Sequence, residues 1–149
     1  MKKKCLNYNG RYWTDMDSRD KHQTEKNHHL IQAMCHAIDG IIQVLREERN
    51  MRYHLLAACL AIIMSALLHI SAMEWLWILL AVFVVFTSEF LNTVTEAVTD
   101  LLVDHHYELN VKKAKDVAAG GVLISAIFSV LVGLIIFIPR ILAIIRIIR

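Results

Sequence analysis

The sequence contains little proline and little glycine, with one and five residues respectively in a chain of 149. So few turn-forming residues exclude a loop-rich β protein and favour an all-α chain. Its three cysteines are widely spaced and form no CxxC pair, which argues against a thiolate metal site. Hydrophobic residues instead make up 56% of the chain, and the mean hydropathy is +0.46. The composition predicts one small all-α integral membrane domain.

Basic residues are concentrated towards the N-terminus, where ten of the sixteen Lys and Arg residues precede His54. This excess predicts a cytoplasmic N-terminus beside anionic lipid. Its lysines also place the segment 104–116 on the cytoplasmic side, because basic residues are enriched in cytoplasmic loops. Nucleic acid is not an expected partner, because no basic patch is interleaved with aromatic residues.

Five segments follow one another along the chain. Residues 1–27 are polar and aperiodic, which predicts a flexible extension. Residues 28–50 have a helical apolar period, which predicts an amphipathic helix on the membrane surface. Three apolar runs long enough to cross a bilayer come next, at about 55–73, 75–102 and 117–138. The third is predicted to stop at Pro139, and residues 140–149 form a basic amphipathic tail.

Polar residues interrupt the second span at helical spacing, at Glu89, Asn92, Glu96 and Asp100. At about 100° per residue they lie along one face of a helix. A carboxylate inside a bilayer costs roughly 2.5–3.5 kcal/mol on insertion scales, so a row of them indicates chemistry. A polar seam that only specifies helix assembly is the alternative, but a single Asn would serve it at lower cost.

Further charged residues are expected at the same end of the spans. Lys115 and Asp116 stand at the start of the third span, and Glu48 stands at the end of the amphipathic segment. Carboxylates with a lysine and without thiolates suit Mg²⁺ bound together with phosphate groups. The sequence has neither a P-loop nor a kinase glycine loop, so ATP would be held by another fold.

Small residues recur at every fourth position of the third span, at Gly121, Ser125, Ser129 and Gly133. Such a face lets helix backbones approach closely in lipid, which predicts tight helix packing or self-association. Three helices alone shield an acidic face poorly, which also favours an oligomer.

Two motifs together resemble the prokaryotic diacylglycerol kinase and undecaprenol kinase family. Residues 89–100 read EFLNTVTEAVTD and fit the pattern E-x-x-N-(T/S)-x-x-E-x-x-x-D, and Ala114-Lys115-Asp116 fits the A-K-D that follows it. The stretches Gly40-Ile41 and Glu48-Arg49-Asn50, with His54, also fit. The resemblance extends over roughly residues 30–138, and it implies a protein of the plasma membrane of a prokaryote.

The resemblance implies a trimeric helical bundle, a homotrimer of three-span subunits with amphipathic surface helices. Each subunit would transfer the γ-phosphate of MgATP to the hydroxyl of a membrane lipid alcohol. By position, Glu89 is the general base, and Glu48 and Glu96 hold the metal that bridges the ATP phosphates. Phosphoryl transfer needs such an oriented hydroxyl and a metal clamp.

The same resemblance assigns Asn92, Lys115 and Asp116, together with Glu48 and Glu96, to nucleotide binding. The residues around Asn92 and Ala118 look more like the undecaprenol branch, with a diacylglycerol kinase that makes phosphatidic acid as the alternative. Two features depart from the family pattern. The loop 103–111 is one residue longer, and His36 stands where an aromatic residue is common.

Two functions of other classes compete with a lipid kinase. An ion or proton conduit would need polar residues across the whole bilayer, but the segment from Trp75 to Phe86 has none. A membrane adaptor would not need Glu48, Glu89 and Lys115 together.

Overall fold

The computed structural model describes residues 30–103 and 108–148, and all regular structure in these ranges is α-helical. The described ranges contain four helices, α1 (Leu30–Glu47), α2 (Arg49–Leu67), α3 (Ala72–Val103) and α4 (Leu109–Ile148). Three of them, α2 to α4, are long and apolar enough to cross a membrane. The predicted all-α class with three spans is therefore confirmed, whereas the predicted extension 1–27 lies outside the described residues.

The chain divides into two compact units, and the boundary falls between Glu47 and Glu48. Helix α1 is the described part of the first unit. Its apolar side chains Met34, Ile38 and Ile41 are exposed and follow one another at a spacing of three and four residues. The helix ends before residue 50, the predicted limit, because the backbone at Glu48 is extended, with φ −87° and ψ 115°.

The second unit contains α2, α3 and α4. Helix α2 begins at Arg49, earlier than the predicted start of the first span, and ends at Leu67. The connector to α3 ends at Ser71, since Ser71 and Glu74 form a reciprocal cap. The Ser71 N–H donates to Glu74 Oε2 at 2.7 Å, and the Glu74 N–H donates to Ser71 Oγ at 3.3 Å. The turn itself contains His69, with a positive φ of 46°.

Helices α3 and α4 pack against each other along most of their length, and α2 has fewer contacts. Buried apolar residues are concentrated near the connector end of this pair: Ile70, Ile78, Ala81, Val132 and Ile136. Most other large apolar side chains of the three spans are exposed. That distribution suits lipid-facing helices, which associate through close packing rather than through exclusion of water.

Three polar contacts join α3 to α4 at three levels. Their pairs are Glu74–Arg140 at 2.7 Å, Ser88–Ser125 at 2.6 Å and Asp100–Lys115 at 2.5 Å. From one pair to the next, the number of residues along α3 is similar to the number along the antiparallel α4. All three pairs are therefore compatible with one register. This register determines where the start of α4 lies against the acidic face of α3.

Pro139 lies inside α4, so the helix continues past the residue at which the third span is predicted to stop. A proline removes one backbone hydrogen bond, and a helix in lipid tolerates this when its neighbours compensate. The next residue, Arg140, is held to Glu74 on α3, which supports the turn that follows the proline. Arg140 therefore belongs to the packed helix pair.

Arg140→Gln and Glu74→Gln are each expected to lower the unfolding temperature in micelles by a few degrees, because each leaves one charge of the pair without its partner. The unfolding temperature of the double variant should be little lower than that of either single variant. Thermal unfolding of the four proteins measures this. Additive losses would show that the contact contributes nothing.

Candidate active site

Glu89 is the most deeply buried charged residue described. Its side chain has no exposed surface, and neither carboxylate oxygen has a hydrogen-bond partner among the described residues. The charges of Glu48 and Glu96 both act on it. A buried group of like charges is unfavourable unless a proton or a cation relieves it. The arrangement is therefore suited to exchange a proton or to receive a metal.

Asn92 connects this cluster to the next turn of α3. Its Nδ2 donates a hydrogen bond to Glu96 Oε1 at 2.8 Å. A carboxylate only accepts, so this bond determines which end of the amide faces Glu96. The other end, Oδ1, is buried and accepts no hydrogen bond from the described residues.

Glu48 reaches the cluster from the N-terminus of α2. It occupies the N-cap position, but its side chain makes no capping hydrogen bond. The half-buried carboxylate thus remains available to other groups. Glu48 and Glu96 are both near enough to Glu89 for their charges to act on it.

Lys115 lies on α4 and contacts Asp100 on α3, with both side chains half-buried. Asp100 belongs to the predicted acidic face, but no role was predicted for it. The sequence feature that could have indicated a role for Asp100 is its position four residues after Glu96, one helical turn further along the same face.

Asp116 is placed differently from the other predicted residues. Its carboxylate pairs with Lys112, one turn earlier on α4, at 2.9 Å, and the side chain is 63% exposed. It makes no described contact with the carboxylates of α3. A role in nucleotide binding would therefore use its exposed side.

The described residues contain no group of three or more metal-ligating side chains arranged for a metal on their own. Mg²⁺ does not require such a group, since it commonly takes one or two carboxylates and completes its shell with water and phosphate oxygens. Glu48 and Glu96 beside the unpartnered Glu89 carboxylate fit an ion that arrives with a nucleotide.

The family model for prokaryotic diacylglycerol kinase matches residues 35–137, more than half of the chain. The chain belongs to this family. The matched range contains every predicted site residue from Glu48 to Asp116. Members of this family are lipid kinases, so the chain is an enzyme of the kinase class, and its phosphate donor is a nucleotide.

Two relatives support the family assignment. The chain is 42% identical to an undecaprenol kinase of Bacillus subtilis over 125 residues, which cover 84% of this chain and 99% of the relative. It is 35% identical to a diacylglycerol kinase of Synechocystis sp. over 114 residues, which cover 76% of this chain and 65% of that relative.

Proposed function

We propose that this protein transfers the γ-phosphate of MgATP to the hydroxyl of undecaprenol. The observation that carries the proposal is the buried, unpartnered Glu89 carboxylate beside Glu48 and Glu96, in a member of a lipid kinase family. The choice of undecaprenol is supported by the relative of that name, which matches over almost its whole length. Diacylglycerol is the alternative substrate, as in the name of the second relative.

In the proposed reaction, Glu89 accepts the proton of the lipid hydroxyl. The lipid oxygen then forms a bond to the γ-phosphorus, the bond from that phosphorus to the β–γ bridging oxygen breaks, and ADP leaves. Glu48 and Glu96 would hold Mg²⁺, which neutralises charge on the phosphates when bound. Lys115 would turn from Asp100 to a phosphate oxygen, since both groups are anionic acceptors for its ammonium. Asn92 and Asp116 would orient the nucleotide.

The assembly we propose is a homotrimer. Glu89 is already fully buried within one chain, so shielding of this carboxylate does not require a second copy. The proposal rests on the family resemblance and on Gly120 and Gly121, where a side chain would meet no atom within 4 Å. That open surface leaves room for another helix.

The membrane placement follows from the charge distribution. We propose that α1 lies in the cytoplasmic interface, with its exposed apolar side chains Met34, Ile38 and Ile41 in lipid. The N-terminal segment 1–27 and the nucleotide site then face the cytoplasm, where ATP is present. The residues after Pro139 lie towards the other surface.

Phosphate transfer from radiolabelled MgATP in mixed micelles tests the proposal, with undecaprenol and diacylglycerol supplied in parallel. We expect kcat/KM for undecaprenol to exceed that for diacylglycerol by at least about tenfold, a ratio of the size that differing fit of apolar groups produces. Preference for diacylglycerol would overturn the substrate assignment. Transfer to neither lipid would overturn the proposed function.

A further inference from the structure

An ion pair lies one helical turn beyond Glu96 on α3. Lys115 Nζ on α4 is 2.5 Å from Asp100 Oδ1, and the two side chains are 34% and 44% exposed. Asp100 follows Glu96 by four residues, so it lies on the same face of α3, about 6 Å further along the helix axis. Asp100 therefore holds a cation close to the carboxylates that the proposed mechanism uses, although that mechanism gives Asp100 itself no part.

The charges that act on Glu89 are both negative. They come from Glu48 and Glu96, and the ammonium of Lys115 is not among them. Carboxylates that act together in this way attract Mg²⁺, which takes oxygen ligands. An ammonium among them would compete with the metal for the same oxygens, because a carboxylate binds either cation. The position at which Lys115 is held therefore affects how readily the metal binds.

Lys115 has a short path to Glu96. The lysine stem has four carbons and is flexible, and the distance along α3 from Asp100 to Glu96 is one helical turn. Ala118 and Ala119 follow Lys115 by three and four residues, so this face of α4 has only small side chains over the next turn. Without the bond to Asp100, a change of rotamer would therefore bring the ammonium to Glu96.

We propose that Asp100 is a positioning residue, which keeps the Lys115 ammonium away from Glu96 until a nucleotide phosphate takes it. This inference rests on the proposed lipid kinase function and gives a role to the last carboxylate of the acidic face. While Asp100 holds the lysine, Glu48 and Glu96 stay free for Mg²⁺. An arriving phosphate then replaces Asp100 as the anionic partner of the ammonium, so the lysine exchanges one charged acceptor for another.

Zero-length crosslinking with a carbodiimide tests the position of Lys115 without metal, nucleotide or turnover. The reagent joins an amine to a carboxylate in contact with it, and mass spectrometry of the digested chain locates the new amide bond. The unsubstituted chain in micelles should give a bond between Lys115 and Asp100. Asp100→Asn should give a bond between Lys115 and Glu96, whereas Asp100→Glu, which keeps the charge, should still give the bond at position 100.

The ion pair of Lys112 with Asp116, at 2.9 Å on α4, is an internal control, since its crosslink should form in every variant that keeps this helix. Absence of the Lys115–Glu96 bond from Asp100→Asn, with the control bond present, would overturn the inference. So would an equal yield of that bond in the unsubstituted chain, because Asp100 would then not determine where the ammonium lies.

Phosphate transfer gives the second readout. Asp100→Asn is expected to raise the Mg²⁺ concentration for half-maximal transfer by about fivefold, the factor that corresponds to an ion pair of about 1 kcal/mol. Its kcat at saturating Mg²⁺ should be unchanged, because the metal then displaces the ammonium by mass action. Asp100→Glu should keep the Mg²⁺ requirement of the unsubstituted chain. A lower kcat at saturating Mg²⁺ with an unchanged requirement would overturn the inference.

A raised Mg²⁺ requirement without the crosslink to Glu96 would also overturn it, since the lost charge of Asp100 would then weaken the metal directly. Failure of the unsubstituted chain to phosphorylate any lipid would instead count against the proposed function. The crosslinks would still locate Lys115 in that case, because they need neither ATP nor metal.

Discussion

Glu89→Gln is expected to lower kcat for phosphate transfer by about 10²–10⁴-fold, the contribution typical of a positioned general base. The amide has the same shape as the carboxylate but cannot take the proton of the lipid hydroxyl. Because Glu89 is fully buried and its oxygens have no described partners, the neutral amide should not destabilise the fold. Single-turnover transfer from radiolabelled MgATP measures the chemical step.

Glu74→Gln is the matched control, since it changes the same residue type on the same helix. Glu74 lies at the connector end, caps α3 and pairs with Arg140. The control should therefore lose thermal stability and keep its kcat, whereas Glu89→Gln should keep its stability and lose its kcat. Wild-type turnover in Glu89→Gln would show that the base is another group, although the family assignment would stand.

The acidic face was predictable from the sequence, because helical periodicity alone places Glu89, Asn92 and Glu96 on one side of α3. The number of spans was predictable for a similar reason, since only long apolar helices satisfy their backbone groups inside lipid. Glu48 lies outside that periodic pattern. It entered the predicted site because it stands at the end of the amphipathic segment, and the family resemblance then gave it a role at the metal. In the structure its charge acts on Glu89.

Helix ends and helix register were harder to predict. The start of α3 depends on the Ser71–Glu74 cap. Both cap residues are polar, so the limits of an apolar run do not reveal them. The contacts of Ser88 with Ser125 and of Lys115 with Asp100 join residues far apart in sequence. One chain contains no local signal for such pairs, because they follow from how two antiparallel helices pack.

Glu96→Gln is expected to raise the Mg²⁺ concentration needed for half-maximal transfer by at least about 10–100-fold, because loss of a group that only orients a metal ligand already costs that much. The variant isolates the charge, because a glutamine still offers an oxygen to the Asn92 amide that now bonds Glu96 Oε1. The KM for the lipid alcohol should change little. Titration of transfer against Mg²⁺ at fixed ATP measures the effect.

High Mg²⁺ distinguishes the two carboxylates of the proposed mechanism. If Glu96 holds the metal and Glu89 takes the proton, saturating Mg²⁺ should restore most of kcat in Glu96→Gln and none of it in Glu89→Gln. Mass action can refill a weakened metal site, but it cannot supply a missing base. Rescue of both variants would place both carboxylates at the metal, and rescue of neither would remove Glu96 from it.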